Sequence, residues 1–150
     1  MQICQAFALN AADGDEAAPP RSELLLNGKA TGVSVPGVVL EAQFQCSDSY
    51  LVFTTENIPY EEALHITLLD ADLRALDHVE LSHQFAAGTL TDVQIGGEAQ
   101  VRFSFFGGDL WELTVLGAPR RLARGEAPVG VKGHLGRTMT PRFLALVRVR

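Results

Sequence analysis

Between Val38 and Leu116 the chain repeats one unit, an apolar-rich run of six to nine residues closed by a turn signal. The breaks fall at Pro36-Gly37, Asp48-Ser49, Asn57-Ile58-Pro59, Asp70-Ala71-Asp72, Ala87-Gly88, Gly96-Gly97, Gly107-Gly108-Asp109 and Gly117-Ala118-Pro119. Glycine, asparagine and aspartate tolerate the positive φ angles of tight turns and proline presets φ, so a break about every ten to sixteen residues punctuates antiparallel strands. No segment sustains a 3.6-residue period. Helix is expected only as a turn at 60–63 and a stub near residues 11–18. The expected fold is therefore all-β: a single-domain antiparallel β-sandwich, jelly-roll-like or a flattened barrel. At 150 residues such a domain buries about 68–70% of its unfolded surface and folds without a disulfide or structural metal.

Two hairpins carry the clearest patterns. In 101–116, Val101, Phe103 and Phe105 alternate with Arg102 and Ser104, while Trp111, Leu113 and Val115 alternate with Glu112 and Thr114. With Gly107-Gly108-Asp109 as the loop, Phe105 faces Trp111, Phe103 faces Leu113, and Val101 faces Val115. Arg102 then pairs diagonally with Glu112 on the other face. In 63–81, an even-length loop around Asp70-Ala71-Asp72 puts Leu64, Ile66, Leu68, Ala75, Val79 and Leu81 on the core face, with Asp77 the one intruder. Residues 3–9 and 143–150 read as the first and closing strands, residues 10–22 as a mobile polar loop, and residues 117–142 as a basic loop rich in glycine and proline.

The same register sets His65 directly opposite His78 on the non-core face, with Glu80 two residues further along. Two imidazoles and a carboxylate within reach of one point suit a divalent transition metal with open positions for water or substrate. Ordinary polar residues on a solvated sheet face would give the same pattern. His83 and His134 have no clear partner, and Asp70 and Asp72 read as turn chemistry, since the oxygen-rich loop of a calcium site is missing.

Charge is unevenly placed. The net charge is −6, but residues 1–110 carry four basic against sixteen acidic side chains and residues 111–150 eight basic against two acidic. The basic segment either pairs with the acidic body or forms an anion site from Arg120, Arg121, Arg124 and Arg137, whose guanidinium forks suit phosphate and carboxylate. Arg120-Arg121-Leu122-Ala123-Arg124 resembles the arginine motif of PilZ domains, β-barrels that bind cyclic di-GMP. In that family the motif precedes the barrel and an Asp/Asn-x-Ser-x-x-Gly motif follows; here it comes after most strands, no such motif follows, and the family is not assigned.

Other signatures are absent: no nucleophile elbow, no phosphate-cradling loop leading into a helix, no metalloprotease helix. The two cysteines, Cys4 and Cys46, share no motif spacing and read as free, buried thiols. The N-terminal residues lack the basic flank of a signal peptide, and no run approaches the about 18 apolar residues of a membrane span, so a soluble, cytoplasmic protein is expected. The reading that best fits is a non-enzymatic binding or protein-interaction module with no cofactor. Its partner would be another protein or a second copy, not a membrane, and the overall acidity disfavours nucleic acid. The alternatives are a phosphate- or nucleotide-type anion binder through residues 120–142 and a metal-dependent enzyme using His65, His78 and Glu80.

Overall fold

The computed structural model describes residues 1–12, 18–58, 60–83, 87–121, 131–133 and 141–149, and all regular structure among them is β-strand. The strands are β1 (Gln2–Ile3), β2 (Phe7–Ala11), β3 (Arg21–Leu26), β4 (Lys29–Pro36), β5 (Val39–Cys46), β6 (Ser49–Thr55), β7 (Ala63–Leu69), β8 (Ala75–Ser82), β9 (Thr91–Gly97), β10 (Gln100–Phe105), β11 (Asp109–Arg120), β12 (Val131–Gly133) and β13 (Arg142–Arg148). They form three antiparallel sheets: a central one ordered β1-β5-β6-β7-β8-β12, a second ordered β13-β11-β10-β9, and a third ordered β2-β3-β4. The fold is all-β and sandwich-like, as the turn rhythm predicts, with no closed barrel. No helix among the described residues is long and apolar enough to cross a membrane.

The main core lies between the central and second sheets. Phe44, Leu51, Phe53, Leu64, Ile66, Leu68, Val79 and Leu81 of the first meet Val101, Phe103, Phe105, Trp111, Leu113, Leu144 and Leu146 of the second. Edge-to-face rings span the interface, with Phe53 and Phe103 centroids 5.4 Å apart, the geometry aromatic quadrupoles favour. A smaller core lies on the other face of the central sheet, where Val52 and Leu69 meet Phe7 and Leu24 of the third. Strand β7 is thus buried along its whole length.

The third sheet is fastened by polar contacts that imitate strand pairing. The Gln43 side chain accepts a hydrogen bond from Phe7 N at 2.8 Å and donates one to Phe7 O at 3.1 Å. The chain crosses between the sheets at Gly37, whose φ is +93° and where an added Cβ would lie 2.8 Å from Thr55 O. Only glycine fits such a position without strain.

Both sequence-read hairpins form, each with its register displaced by two residues. Phe103 faces Trp111, Val101 faces Leu113 and Phe105 faces Asp109, because the loop comprises Phe106, Gly107 and Gly108, all with positive φ. Arg102 and Glu112 are then directly opposite, 2.7 Å apart. In β7–β8, Leu64 faces Leu81, Ile66 faces Val79 and Leu68 faces Asp77, with an irregularity before Leu69 and Ala75. A slip of two preserves the face of each side chain. The irregularity does not: Ala75 is exposed and Leu76 packs against the core in its place.

Strand boundaries differ as well. Residues 3–9 divide between β1 and β2, which belong to different sheets. Asn10 and Ala11 extend β2, Arg21 and Ser22 begin β3, and β11 continues to Arg120, so regular pairing enters both segments read as loops.

Candidate functional site

The third sheet covers only part of the central sheet's second face. Further along β7 and β8 that face is polar and presents Thr54, His65, Thr67, His78 and Glu80. His65 lies opposite Glu80 and Thr67 opposite His78, so the two histidines are diagonal neighbours rather than the directly opposed pair expected from the sequence. Nor is the face a solvated one at its centre: His65 is 4% exposed and Thr67 3%. His78 and Glu80 are half-buried.

A buried imidazole needs partners for both ring nitrogens, and His65 has them. Its Nε2 lies 2.7 Å from Glu56 Oε1 and its Nδ1 lies 3.1 Å from His78 Nε2. The Glu62 carboxylate arranges the loop that delivers Glu56, accepting the amides of Glu56 at 2.7 Å, Ala63 at 3.1 Å and Ile58 at 3.2 Å. Asn57, inside this turn, takes the left-handed φ of 60° that asparagine tolerates. Since the carboxylate beside Nε2 only accepts, His65 carries its proton there and turns the lone pair of Nδ1 toward His78. The Thr67 hydroxyl, buried on the same face, has no hydrogen-bond partner among the described residues.

Glu80 receives a hydrogen bond from Ser82 at 2.9 Å. Among the described residues no three His, Cys, Asp or Glu side chains are grouped to hold a metal ion. Of the four arginines singled out from the sequence, Arg120 and Arg121 are exposed at the end of β11, while Arg124 and Arg137 lie outside the described residues. Cys4 and Cys46 are free thiols; Cys46 is buried and Cys4 half-buried.

Asp77, the intruder on the core face, belongs to a different constellation. Beyond the short β12 pairing it bridges the central and second sheets, its Oδ2 accepting from Arg142 Nε at 3.0 Å, Phe143 N at 2.9 Å and Leu144 N at 3.0 Å. Its Oδ1 takes Arg142 Nη2 at 3.0 Å and the amide of His78 at 2.7 Å. Arg142 also donates to His78 O at 2.9 Å. With both side chains at least nine-tenths buried, this fully hydrogen-bonded pair closes one edge of the sandwich.

The opposite edge stays open. A cleft of about 370 Å³ runs between β5 and β9, lined by Ile3, Leu40, Ala42, Phe44, Val93 and Ile95, with Gln5, Glu41 and Gln43 as polar members. Strand β9 has no neighbour on its outer side among the described residues. Ile3 is 72% exposed and Ile95 40%, although both belong to the apolar lining.

Glu56 and Glu62 were not legible as site residues, since nothing in their spacing ties a loop carboxylate to a histidine nine residues on. Asp77 stands out in the sequence by its position on an apolar face, but its partner Arg142 lies 65 residues away. No family model, curated protein or solved structure matches this chain.

Proposed function

We propose that the chain is a non-enzymatic protein-interaction module that receives an extended, apolar segment of a partner along the β5/β9 edge. The observation that carries this reading is the coincidence of an unpaired outer side of β9 with an accessible apolar cleft beneath it. Unpaired strand amides and carbonyls template a further strand. When a strand is added, main-chain hydrogen bonds supply affinity and pockets for alternate side chains supply specificity. Glu41 at the cleft, on a body whose first 110 residues carry four basic and sixteen acidic side chains, favours a segment with basic flanks. A second copy pairing β9 to β9 would use the same groups, and its signature is a dimer.

Selection from a random-peptide library against the purified protein tests this reading. Enriched peptides should be proline-free, alternate apolar with polar or basic residues, and lose binding to Ile95→Asp and Ile3→Asp. An enriched set indifferent to both substitutions, or no enrichment, overturns the reading; a dimer dissociated by Ile95→Asp assigns the edge to self-association instead.

The exposure of Arg120 and Arg121 supports a second reading, capture of a phosphate-bearing ligand with Arg124 and Arg137. Inorganic phosphate or nucleotides should then raise the melting temperature by mass action, less so in high salt, and not at all in the Arg120→Ala/Arg121→Ala/Arg124→Ala protein. A shift that survives the triple substitution removes this reading.

A further inference from the structure

We propose that His65 and His78 form a two-histidine site for a divalent transition metal such as zinc, with Glu56 as the group that positions His65. The site lies on the second face of the central sheet, away from the β5/β9 edge, and is independent of the partner-binding reading. Three observations carry it.

The first is separation. The facing nitrogens, His65 Nδ1 and His78 Nε2, are 3.1 Å apart, on rings within 22° of parallel. Zinc binds imidazole nitrogen at about 2.0–2.1 Å in tetrahedral geometry, which holds two such nitrogens about 3.3 Å apart. Admitting the ion beside the line between them thus requires an opening of a few tenths of an ångström and a turn of both rings that aims their lone pairs at one point. Adjacent β-strands hold both backbones, so side-chain rotation alone separates the paired rings from joint coordination.

The second is the carboxylate behind the first ligand. Glu56 Oε1 lies 2.7 Å from His65 Nε2, the arrangement in which a metal-bound histidine donates its remote N–H to an acceptor that fixes tautomer and ring orientation. It places the proton on Nε2 and commits Nδ1 to the metal. Glu56 is in turn held by its own backbone, whose amide is bound by Glu62.

The third is the Thr67 hydroxyl, buried directly opposite His78 and next but one to His65 in β7, with no hydrogen-bond partner among the described residues. Two protein ligands leave two positions of a tetrahedral ion for solvent, and a metal-bound water beside Thr67 would supply the missing partner.

The step balances without redox chemistry. The hydrogen bond between the two rings breaks, two nitrogen–metal bonds form, and the proton held between the rings leaves to solvent or to the other nitrogen of its own ring. Imidazole donors suit zinc, nickel and copper, with copper the tightest of the three. With solvent completing the shell the ion is exchangeable, so the site is assayed by adding metal.

The test adds Zn²⁺ to metal-free protein and follows the histidine ring nitrogens by long-range ¹H–¹⁵N spectroscopy alongside calorimetry. One equivalent should bind, shifting His65 Nδ1 and His78 Nε2 together while His65 Nε2 keeps its proton. His78→Ala should abolish this event, and Glu56→Gln should weaken it by about 10- to 100-fold, the effect typical of outer-sphere partners. His83→Ala should leave it unchanged. The wild-type spectra need no variant to fold and are decisive alone: no binding, a shift at only one of the two rings, or a shift at His83 or His134 instead overturns the proposal. So does affinity unaltered by Glu56→Gln.

Discussion

The two edges of the main sandwich solve the same problem in opposite ways. Where β8 meets β13, the amides of Phe143 and Leu144 would face an apolar interior, and Asp77 takes both while Arg142 neutralises and completes it. Where β5 meets β9, fastening is confined to one end, where Glu98 O accepts from the Met1 amine at 2.7 Å and from Cys46 Sγ at 3.7 Å; beyond it the apolar lining gapes into a cleft, and β9 has no neighbour on its outer side among the described residues. A buried charge is tolerated only when fully partnered, and the β8/β13 edge meets that condition with five hydrogen bonds to a single carboxylate. An exposed strand edge invites another chain unless it is blunted. One edge is therefore structural, and the other is where a partner has something to gain.

Substitutions can break or sharpen this contrast. The largest effect is expected from Asp77→Ala, which strands the buried Arg142 and frees three amides. Removing one member of a buried pair typically costs about 3–5 kcal/mol, to be read from denaturant unfolding. A loss below about 1 kcal/mol would mean that the β8/β13 edge does not depend on this pair. Trp111→Ala should cost a similar amount, about 3–5 kcal/mol, because the ring lies in the core shared by both edges. It serves as the internal scale for the first measurement. Gly37→Ala, at the entry to β5, should lose more than about 1 kcal/mol through strain at positive φ and the close approach to Thr55. Ile95→Asp, at the open edge, should change stability by no more than about 0.5 kcal/mol while removing partner binding. A large destabilisation there would show that the cleft is core rather than surface.

The faces of the strands were legible because alternation has a period of two; the registers were not, because a shift of two leaves that pattern intact. In the first hairpin the turn decided the matter: Phe106 accepts a φ of 59° and enters the loop, so Asp109 is left to pair with Phe105. The burial of the central sheet's second face was hidden for a related reason. His65 and Thr67 alternate with Leu64, Ile66 and Leu68 as solvent-facing residues would, yet both are buried. At His65 the polarity of that face serves hydrogen bonds within the protein rather than contact with water. Asp77 announced itself as an anomaly, but its meaning depended on Arg142, and no local pattern connects β8 to β13. The alternation puts both histidines on one face but sets them directly opposite, where the register makes them diagonal, and Glu56 reaches His65 only through the turn that Glu62 organises.

Native-state hydrogen exchange compares the two edges within one molecule. The amides of Phe143 and Leu144 should exchange only through global unfolding, with opening free energies equal to the stability of the domain. The β9 amides that point away from β10 should exchange through local opening near zero free energy and become protected when a selected peptide binds. Equal protection of the two edges in the unliganded protein, or β9 amides unchanged by a peptide that binds, would contradict the assignment of one edge to structure and the other to recognition.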